Sequence, residues 1–248
     1  MARYDGEAAG FGRSHYRRTE QLAFPVAEPT ASLWCWAAKP SPPHCSFIGG
    51  CDRLAASHDP DPTAVEVWKA ALSAEGSIVE TYLRSRNISL DVPPSLRCGR
   101  VMRPDPHAAL AMIAAVQAPT GTIVAIQATF LTRRGCKAAV AVPRSAIGAL
   151  GAGAVRFGKS EDLLGLAEGI ETALSAQQLT GIPTWPCLGA SRMHRIAIPS
   201  HVRELHLFGD NDGAGRDAVQ RAAYENRKRR VVLQFPPDSR KDWNDFAK

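Results

Sequence analysis

The chain has 248 residues, of which 45% are hydrophobic and 22% charged, enough apolar material for one large or two small globular domains. No apolar run reaches the roughly 18 residues that a membrane-spanning helix needs, and the charged amino terminus lacks the apolar segment of a secretion signal. A cytoplasmic protein whose six cysteines are reduced thiols is therefore expected.

The formal net charge of +6 is concentrated in one part of the chain. Residues 1–160 carry 18 Lys/Arg and 12 Asp/Glu, whereas residues 161–248 carry 12 of each. Such a distribution suits a protein whose basic part binds a polyanion, while acids of the neutral part bind a cation beside it. Ordinary surface charge that keeps a protein soluble accounts for the same excess equally well.

The pattern of prolines and apolar residues predicts three regions. Residues 1–62 hold 7 of the 18 prolines and little periodicity, which predicts a poorly ordered, Pro-rich arm. Residues 63–160 are predicted to form a small basic α+β subdomain. Its apolar periodicity indicates two helices before Arg86, separated at Gly76, and its later part contains a β-hairpin.

Residues 161–248 form the third region, in which short apolar strands alternate with helices. The predicted strands are 163–167, 184–188, 204–209 and 230–235, and the predicted helices are 169–180, 191–198 and 214–227. Such alternation is typical of an α/β fold in which helices flank a parallel sheet. The sequence therefore predicts a four-stranded parallel sheet here.

Carboxylates follow three of the predicted strands. Glu168 comes directly after the first strand, where Gly169 is expected to allow a sharp turn, and Asp210 and Asp212 follow the third. Asp242 and Asp245 follow the fourth. Because parallel strands present their carboxyl ends at one edge, these acids are expected to gather there and to repel one another unless a cation neutralises them. Hard oxygen ligands favour Mg²⁺ or Mn²⁺.

Each acid also has a simple structural explanation when it is taken alone. Glu168 could be a carboxylate favoured by a helix dipole, and Asp242 a surface acid. The Asp210–Gly213 stretch could be a capped turn, although it lacks the later Glu of a calcium loop. Their joint placement after three strands is what indicates a site.

Three segments of this last region resemble the motifs of the Toprim domain, which bacterial-type primases, topoisomerases and some nucleases share. They are Ala167–Leu174, Gly209–Gly215 and Lys241–Asp245. Glu80–Ile88 looks like the segment that precedes the Toprim domain in primases of phages and plasmids. The resemblance covers about residues 63–248.

The resemblance implies roles for individual residues. Glu168 would be the acid/base group, Asp210 and Asp212 would act with it in catalysis, and all three would bind metal together with Asp242 and Asp245. A further set, from the basic subdomain, would hold phosphates of template or nucleotide: Arg133, Arg134 and Lys137.

The sequence departs from the family pattern in three ways. Thr172 stands where a second acid is usual, with Glu171 one position earlier, and the last motif reads Asp242-Trp243-Asn244 instead of Asp-x-Asp. Family primases also carry an amino-terminal zinc module. Here the amino-terminal Cys and His residues form no Cys-x2-Cys or Cys-x2-His pair, so no zinc site is expected.

The resemblance implies a metal-dependent primase core that makes RNA primers on single-stranded DNA in phage, plasmid or mobile-element replication. Its expected partners are template, ribonucleotides and a separate replicative helicase, because no helicase motor is expected in this chain. Two alternatives remain open: a Mg²⁺-dependent Toprim nuclease, and a non-catalytic module that binds nucleic acid. A topoisomerase is disfavoured, because the chain is short and no tyrosine has a suitable setting.

Overall fold

The structure, a computed structural model, describes residues 59–102, 108–237 and 240–247. The predicted arm of residues 1–62 lies outside the described residues apart from its last four, as do the amino-terminal residues considered for zinc. Across the described parts of the chain, no helix combines the length and the apolar character that crossing a membrane requires.

The first part of the chain forms an antiparallel sheet with two helices. Its five strands pair in chain order: β1 Leu72–Ser73, β2 Leu96–Met102, β3 Ala108–Gln117, β4 Ile123–Phe130 and β5 Arg144–Ile147. The two helices are α1 Pro62–Ala70 and α2 Ile78–Ser85. Asp61 and Ser77 cap their amino ends through hydrogen bonds from the backbone N–H groups of Ala64 and Val79.

The helix pair and the hairpin confirm the sequence prediction, whereas β2 was missed. Arg97, Gly99 and Arg100 interrupt the apolar alternation on which a strand prediction depends. The strand forms because it pairs along its whole length with β3. Both faces of β3 are covered: Ile113 belongs to the core under α1, and Met112 to the core that contains α2.

The second part of the chain forms the predicted parallel sheet. Its strands lie in the order β7-β6-β8-β9, and their bounds are β6 Leu163–Ala167, β7 Thr184–Pro186, β8 Glu204–Phe208 and β9 Arg230–Gln234. The flanking helices are α3 Ile170–Thr180, α4 Gly213–Glu225 and the short α5 Trp243–Phe246, and Ala190–Arg195 form a 3₁₀ helix. The fold-class prediction, α/β with a preceding α+β subdomain, is therefore confirmed.

One apolar core runs through both sheets and fixes how they face each other. It joins Val79 and Leu83 of α2 to Ile170 and Leu174 of α3. The first seven residues of α3 are all buried, so the polar ones among them are shielded from water. Polar groups buried in this way need partners within the protein.

Candidate active site

Three of the predicted acidic residues line one cleft at the carboxyl edge of the parallel sheet. The cleft has a volume of about 410 Å³, and Glu168, Asp210 and Asp242 are among its lining residues. Glu168 follows β6 directly and Asp210 lies two residues beyond β8. Asp242 lies beyond β9, where it caps α5 by accepting a hydrogen bond from the Asp245 N–H at 2.7 Å.

The side chain of Asn211 holds two of these loops together. Its amide donates hydrogen bonds to the carbonyl oxygens of Pro236 at 3.1 Å and Arg240 at 2.8 Å. Its backbone N–H donates to the Lys241 carbonyl at 2.8 Å. Asn211 therefore fixes the loop that carries Asp242 beside Asp210. The sequence analysis included Asn211 in a motif without assigning it this role.

Asp210 is the most strongly perturbed acid in the cleft. Burial, followed by the charges of Glu168, Asp242 and Asp212, raises the pKa of Asp210 to about 7. Its Oδ1 atom is buried and has no hydrogen-bond partner among the described residues. A buried carboxylate oxygen that faces other acids is a position where a cation would replace the missing partner.

Asp212 and Asp245 take different positions from those three. Asp212 is exposed and caps α4 by accepting a hydrogen bond from the Gly215 N–H at 2.7 Å. Asp245 is half-buried on α5. Neither is among the residues that line the cleft. In the described residues, no group of three or more Asp, Glu, His or Cys side chains is already arranged to hold a metal ion.

The donor set nevertheless fits a divalent cation. A carboxylate that accepts one capping hydrogen bond keeps a second oxygen with acceptor capacity, so capping by Asp212 and Asp242 is compatible with ion binding. The clustered negative charge and the unpartnered Asp210 oxygen both favour a hard cation with oxygen ligands.

The opposite wall of the cleft is cationic and comes from the first subdomain. Arg86, Lys137 and Arg144 line it. Burial, followed by the positive charge of Arg144, lowers the pKa of Lys137 below its usual range. Lys137 follows a tight turn that rests on α2, because a Cβ atom on Gly135 would lie 2.7 Å from the Thr81 side chain. The turn has a φ of +71° at that glycine.

The structure separates the three predicted basic residues. Lys137 lines the cleft, whereas Arg133 and Arg134 are exposed within the turn and are not among the lining residues. The sequence analysis assigned no role to Arg86 or Arg144. Arg86 lies in the Glu80–Ile88 segment that resembles primases, whereas no sequence signal marks Arg144. Arg86 reaches the cleft because α2 shares an apolar core with α3, and Arg144 because it pairs with Glu171 of α3.

Glu171 links the two walls of the cleft. It is buried, and its carboxylate accepts a hydrogen bond from the Tyr82 hydroxyl at 2.5 Å and pairs with Arg144 at 3.4 Å. Tyr82 lies on α2 and Arg144 on β5, so one side chain of α3 contacts two elements of the other subdomain. Burial and the Glu171 charge raise the pKa of Tyr82, so the hydroxyl remains a donor.

Two of the three departures from the family pattern, at Thr172 and Asn244, have structural explanations. Thr172 is buried and lines the cleft. The acid one position earlier, Glu171, is already held by its contacts with Tyr82 and Arg144. Asn244 is buried, and its amide donates hydrogen bonds to the Arg86 carbonyl at 2.8 Å and to the Ser175 hydroxyl at 2.9 Å. The amide thus ties α5 to the end of α2 and to α3.

Gly169 differs from its predicted role. Its φ is −112° and its ψ is 167°, an extended conformation open to any residue. A Cβ atom there would meet only ordinary contacts of 3.6 Å or more. The turn after Glu168 therefore does not depend on glycine for its backbone conformation.

Comparison with known protein families finds a match for each part of the chain. Residues 163–248 match the family model of the Toprim domain, and residues 59–157 match a domain of unknown function, DUF7146. No protein among those with curated descriptions matches the chain.

Solved structures with a similar fold include primases. A DNA primase domain from Pseudomonas aeruginosa is 15% identical with a TM-score of 0.50, over 74% of this chain and 73% of that one. The primase fragment of the bacteriophage T7 primase-helicase protein is 19% identical with a TM-score of 0.46, over 71% of this chain and 66% of the fragment. The Aquifex aeolicus primase is 11% identical with a TM-score of 0.44, over 70% of this chain and 53% of that one.

Proposed function

Since residues 163–248 are a Toprim domain, we propose that this protein is the catalytic core of a DNA primase. It joins ribonucleotides on single-stranded DNA, in replication of a phage, plasmid or other mobile element. The observation that carries the proposal is the cleft itself, in which a wall of carboxylates at the sheet edge faces a wall of cations from the preceding subdomain. This arrangement suits a phosphorylated substrate together with divalent ions.

The acidic wall is the proposed metal site. Glu168, Asp210 and Asp242 would hold Mg²⁺ or Mn²⁺, and Asp212 and Asp245 would complete the set from the neighbouring loops. When bound, the metal neutralises phosphate charge and aligns the reacting oxygens. The perturbed pKa of Asp210, about 7, supports this assignment, because it reports the same clustering of charge that a cation would relieve.

The residues of the chain then have distinct tasks in nucleotidyl transfer. A ribonucleotide 3′-oxygen forms a bond to the α-phosphorus of the incoming nucleotide, and the bond to the β-phosphate breaks to release pyrophosphate. Glu168 accepts the proton of the 3′-hydroxyl group. Lys137, Arg144 and Arg86 hold the triphosphate by charge, and Arg133 and Arg134 contact phosphates of the template further out.

The same proposal assigns parts to the rest of the chain. Residues 63–160 form the basic subdomain that carries the cationic wall, and residues 161–248 form the catalytic Toprim domain. A separate helicase would deliver the single-stranded template. The cations of the turn around Gly135 are exposed, as expected for residues that contact a long template.

The test is ribonucleotide incorporation by the purified full chain on single-stranded DNA with Mg²⁺ or Mn²⁺. Wild-type protein is expected to make short RNA products. In Glu168→Gln the rate of incorporation should fall at least a hundredfold, while DNA binding stays almost normal. Glu66→Gln removes an exposed acid of α1 and serves as the matched control, with unchanged activity.

Two other outcomes would each reject the proposal. Metal-dependent cutting of the DNA that needs Glu168 would identify a Toprim nuclease. Tight DNA binding without synthesis or cutting, even with a replicative helicase added, would identify a non-catalytic module. The replacement of the usual acids by Thr172 and Asn244 is the observation that favours this last alternative.

A further inference from the structure

A second cavity lies at the opposite edge of the parallel sheet. It has a volume of about 840 Å³. Arg156 and Lys159 line it from the segment that precedes β6, and His201 from the segment that precedes β8. Since the strands are parallel, these segments meet at the amino edge, away from the acidic cleft at the carboxyl edge. No residue lines both cavities.

Three residues that line this cavity each carry a buried polar atom that lacks a hydrogen-bond partner among the described residues. The atoms are the hydroxyl oxygen of Ser95, Nε of Arg156 and Nε1 of Trp185. Ser95 is 8% exposed and Trp185 only 2%. All three atoms can donate a hydrogen bond. An unsatisfied buried polar group costs about 1–3 kcal/mol, so a side-chain shift that let these atoms donate to an occupant rich in acceptors would be favourable.

The guanidinium of Arg156 is already held in place for such an occupant. It donates hydrogen bonds to the carbonyl oxygens of Ala118 at 2.7 Å and Pro119 at 3.2 Å. It also lies over the indole of Trp185, 5.1 Å from the ring centroid. A fixed cation loses little conformational entropy when it binds an anion.

The lining combines positive charge with flat aromatic rings. Its charged residues are Arg156 and Lys159, with His201 beside them, and it contains no Asp or Glu. The indole of Trp68, from α1, is half-buried, and Arg97 covers one of its faces. The indole of Trp185, from β7, is buried beneath Arg156. Cations and donors suit phosphate oxygens, and indoles suit a planar base. The volume lies within the range of small-molecule sites, about 300–1,000 Å³.

We propose that this cavity is a binding site for a free nucleotide, separate from the acidic cleft. The phosphates contact Arg156 and Lys159, and the base lies against the indole of Trp68. Binding here needs no divalent metal, because the positive charge comes from the protein. The proposal does not depend on the function assigned to the acidic cleft.

The test is equilibrium dialysis of the full chain with ATP in the presence of EDTA. Saturable binding is expected for the wild type. Lys159→Glu is expected to weaken binding at least tenfold, and Trp68→Leu to do the same by removing one indole. Arg221→Glu removes an exposed cation of α4, none of whose residues lines this cavity, and is the matched control that should bind normally. Thermal unfolding of each variant verifies that it is folded.

The parts of the ligand are tested separately. Adenosine and tripolyphosphate are each expected to bind at least tenfold more weakly than ATP, because each uses only half of the lining. Absence of saturable ATP binding, or ATP binding that Lys159→Glu and Trp68→Leu leave unchanged, would overturn the proposal. So would a 5′-phosphorylated oligonucleotide that binds more tightly than ATP, which would identify a nucleic-acid site.

Discussion

The unusual pKa of Asp210 predicts that this cleft lowers the stability of the metal-free protein. A raised carboxyl pKa means that the folded chain holds a proton that the unfolded chain releases, so stability falls as pH rises from about 4 to about 7. Above that range the full penalty is present, and below it the penalty disappears. Asp210→Asn removes the ionisable group and is therefore expected to stabilise the protein at pH 8.

The size of this effect follows from the pKa. The pKa of Asp210 rises from 3.8 to about 7. Because each pKa unit corresponds to about 1.4 kcal/mol, the upper limit for the stability gained on removing this carboxylate is about 4 kcal/mol. Asp210 is only half-buried, so solvent screening reduces the expected gain to about 1–2 kcal/mol. For a chain of this length that gain corresponds to a rise in Tm of about 3–6 °C.

The assay is thermal unfolding in EDTA at pH 8 and again near pH 4, where the two proteins should unfold at similar temperatures. Asp91→Asn, in an exposed loop, serves as the control for loss of one negative charge and should shift Tm by less than about 1 °C. Added Mg²⁺ should raise the Tm of the wild type and have little effect on Asp210→Asn. If Asp210→Asn is destabilised at pH 8, or stabilised equally at both pH values, the electrostatic reasoning is refuted.

Two further substitutions test how the site is built. Gly215→Ala would place a Cβ atom 2.5 Å from the backbone oxygen of Asp210. We therefore expect the free energy of unfolding in urea to fall by about 1–3 kcal/mol and metal binding to weaken. Gly213 has open space around it, so Gly213→Ala should have little effect. Asn244→Asp, which restores the family pattern, would set a carboxylate oxygen against the Arg86 carbonyl that now accepts a hydrogen bond. A loss of about 1–3 kcal/mol in urea unfolding is expected, and higher primase activity with unchanged stability would contradict this explanation of the departure.

The sequence alone determined the parallel sheet and three acids of the site. β6, β7 and β8 are buried strands that read as short apolar runs, and β9 also keeps an apolar run, so their positions were visible without any tertiary information. Glu168, Asp210 and Asp242 could be placed together because the carboxyl ends of parallel strands share one edge, whatever the side-chain packing. Local patterns of this kind survive in a single sequence.

Only the tertiary structure decided what faces these acids. Arg144 belongs to an edge strand with no apolar pattern, and Arg86 ends a helix. Both reach the cleft, Arg144 through its ion pair with Glu171 of α3 and Arg86 because α2 shares an apolar core with α3. Contacts such as the one between Tyr82 and Glu171 join residues that lie 89 positions apart. The free energy that selects them comes from burying apolar surface common to both sheets, which no local periodicity encodes.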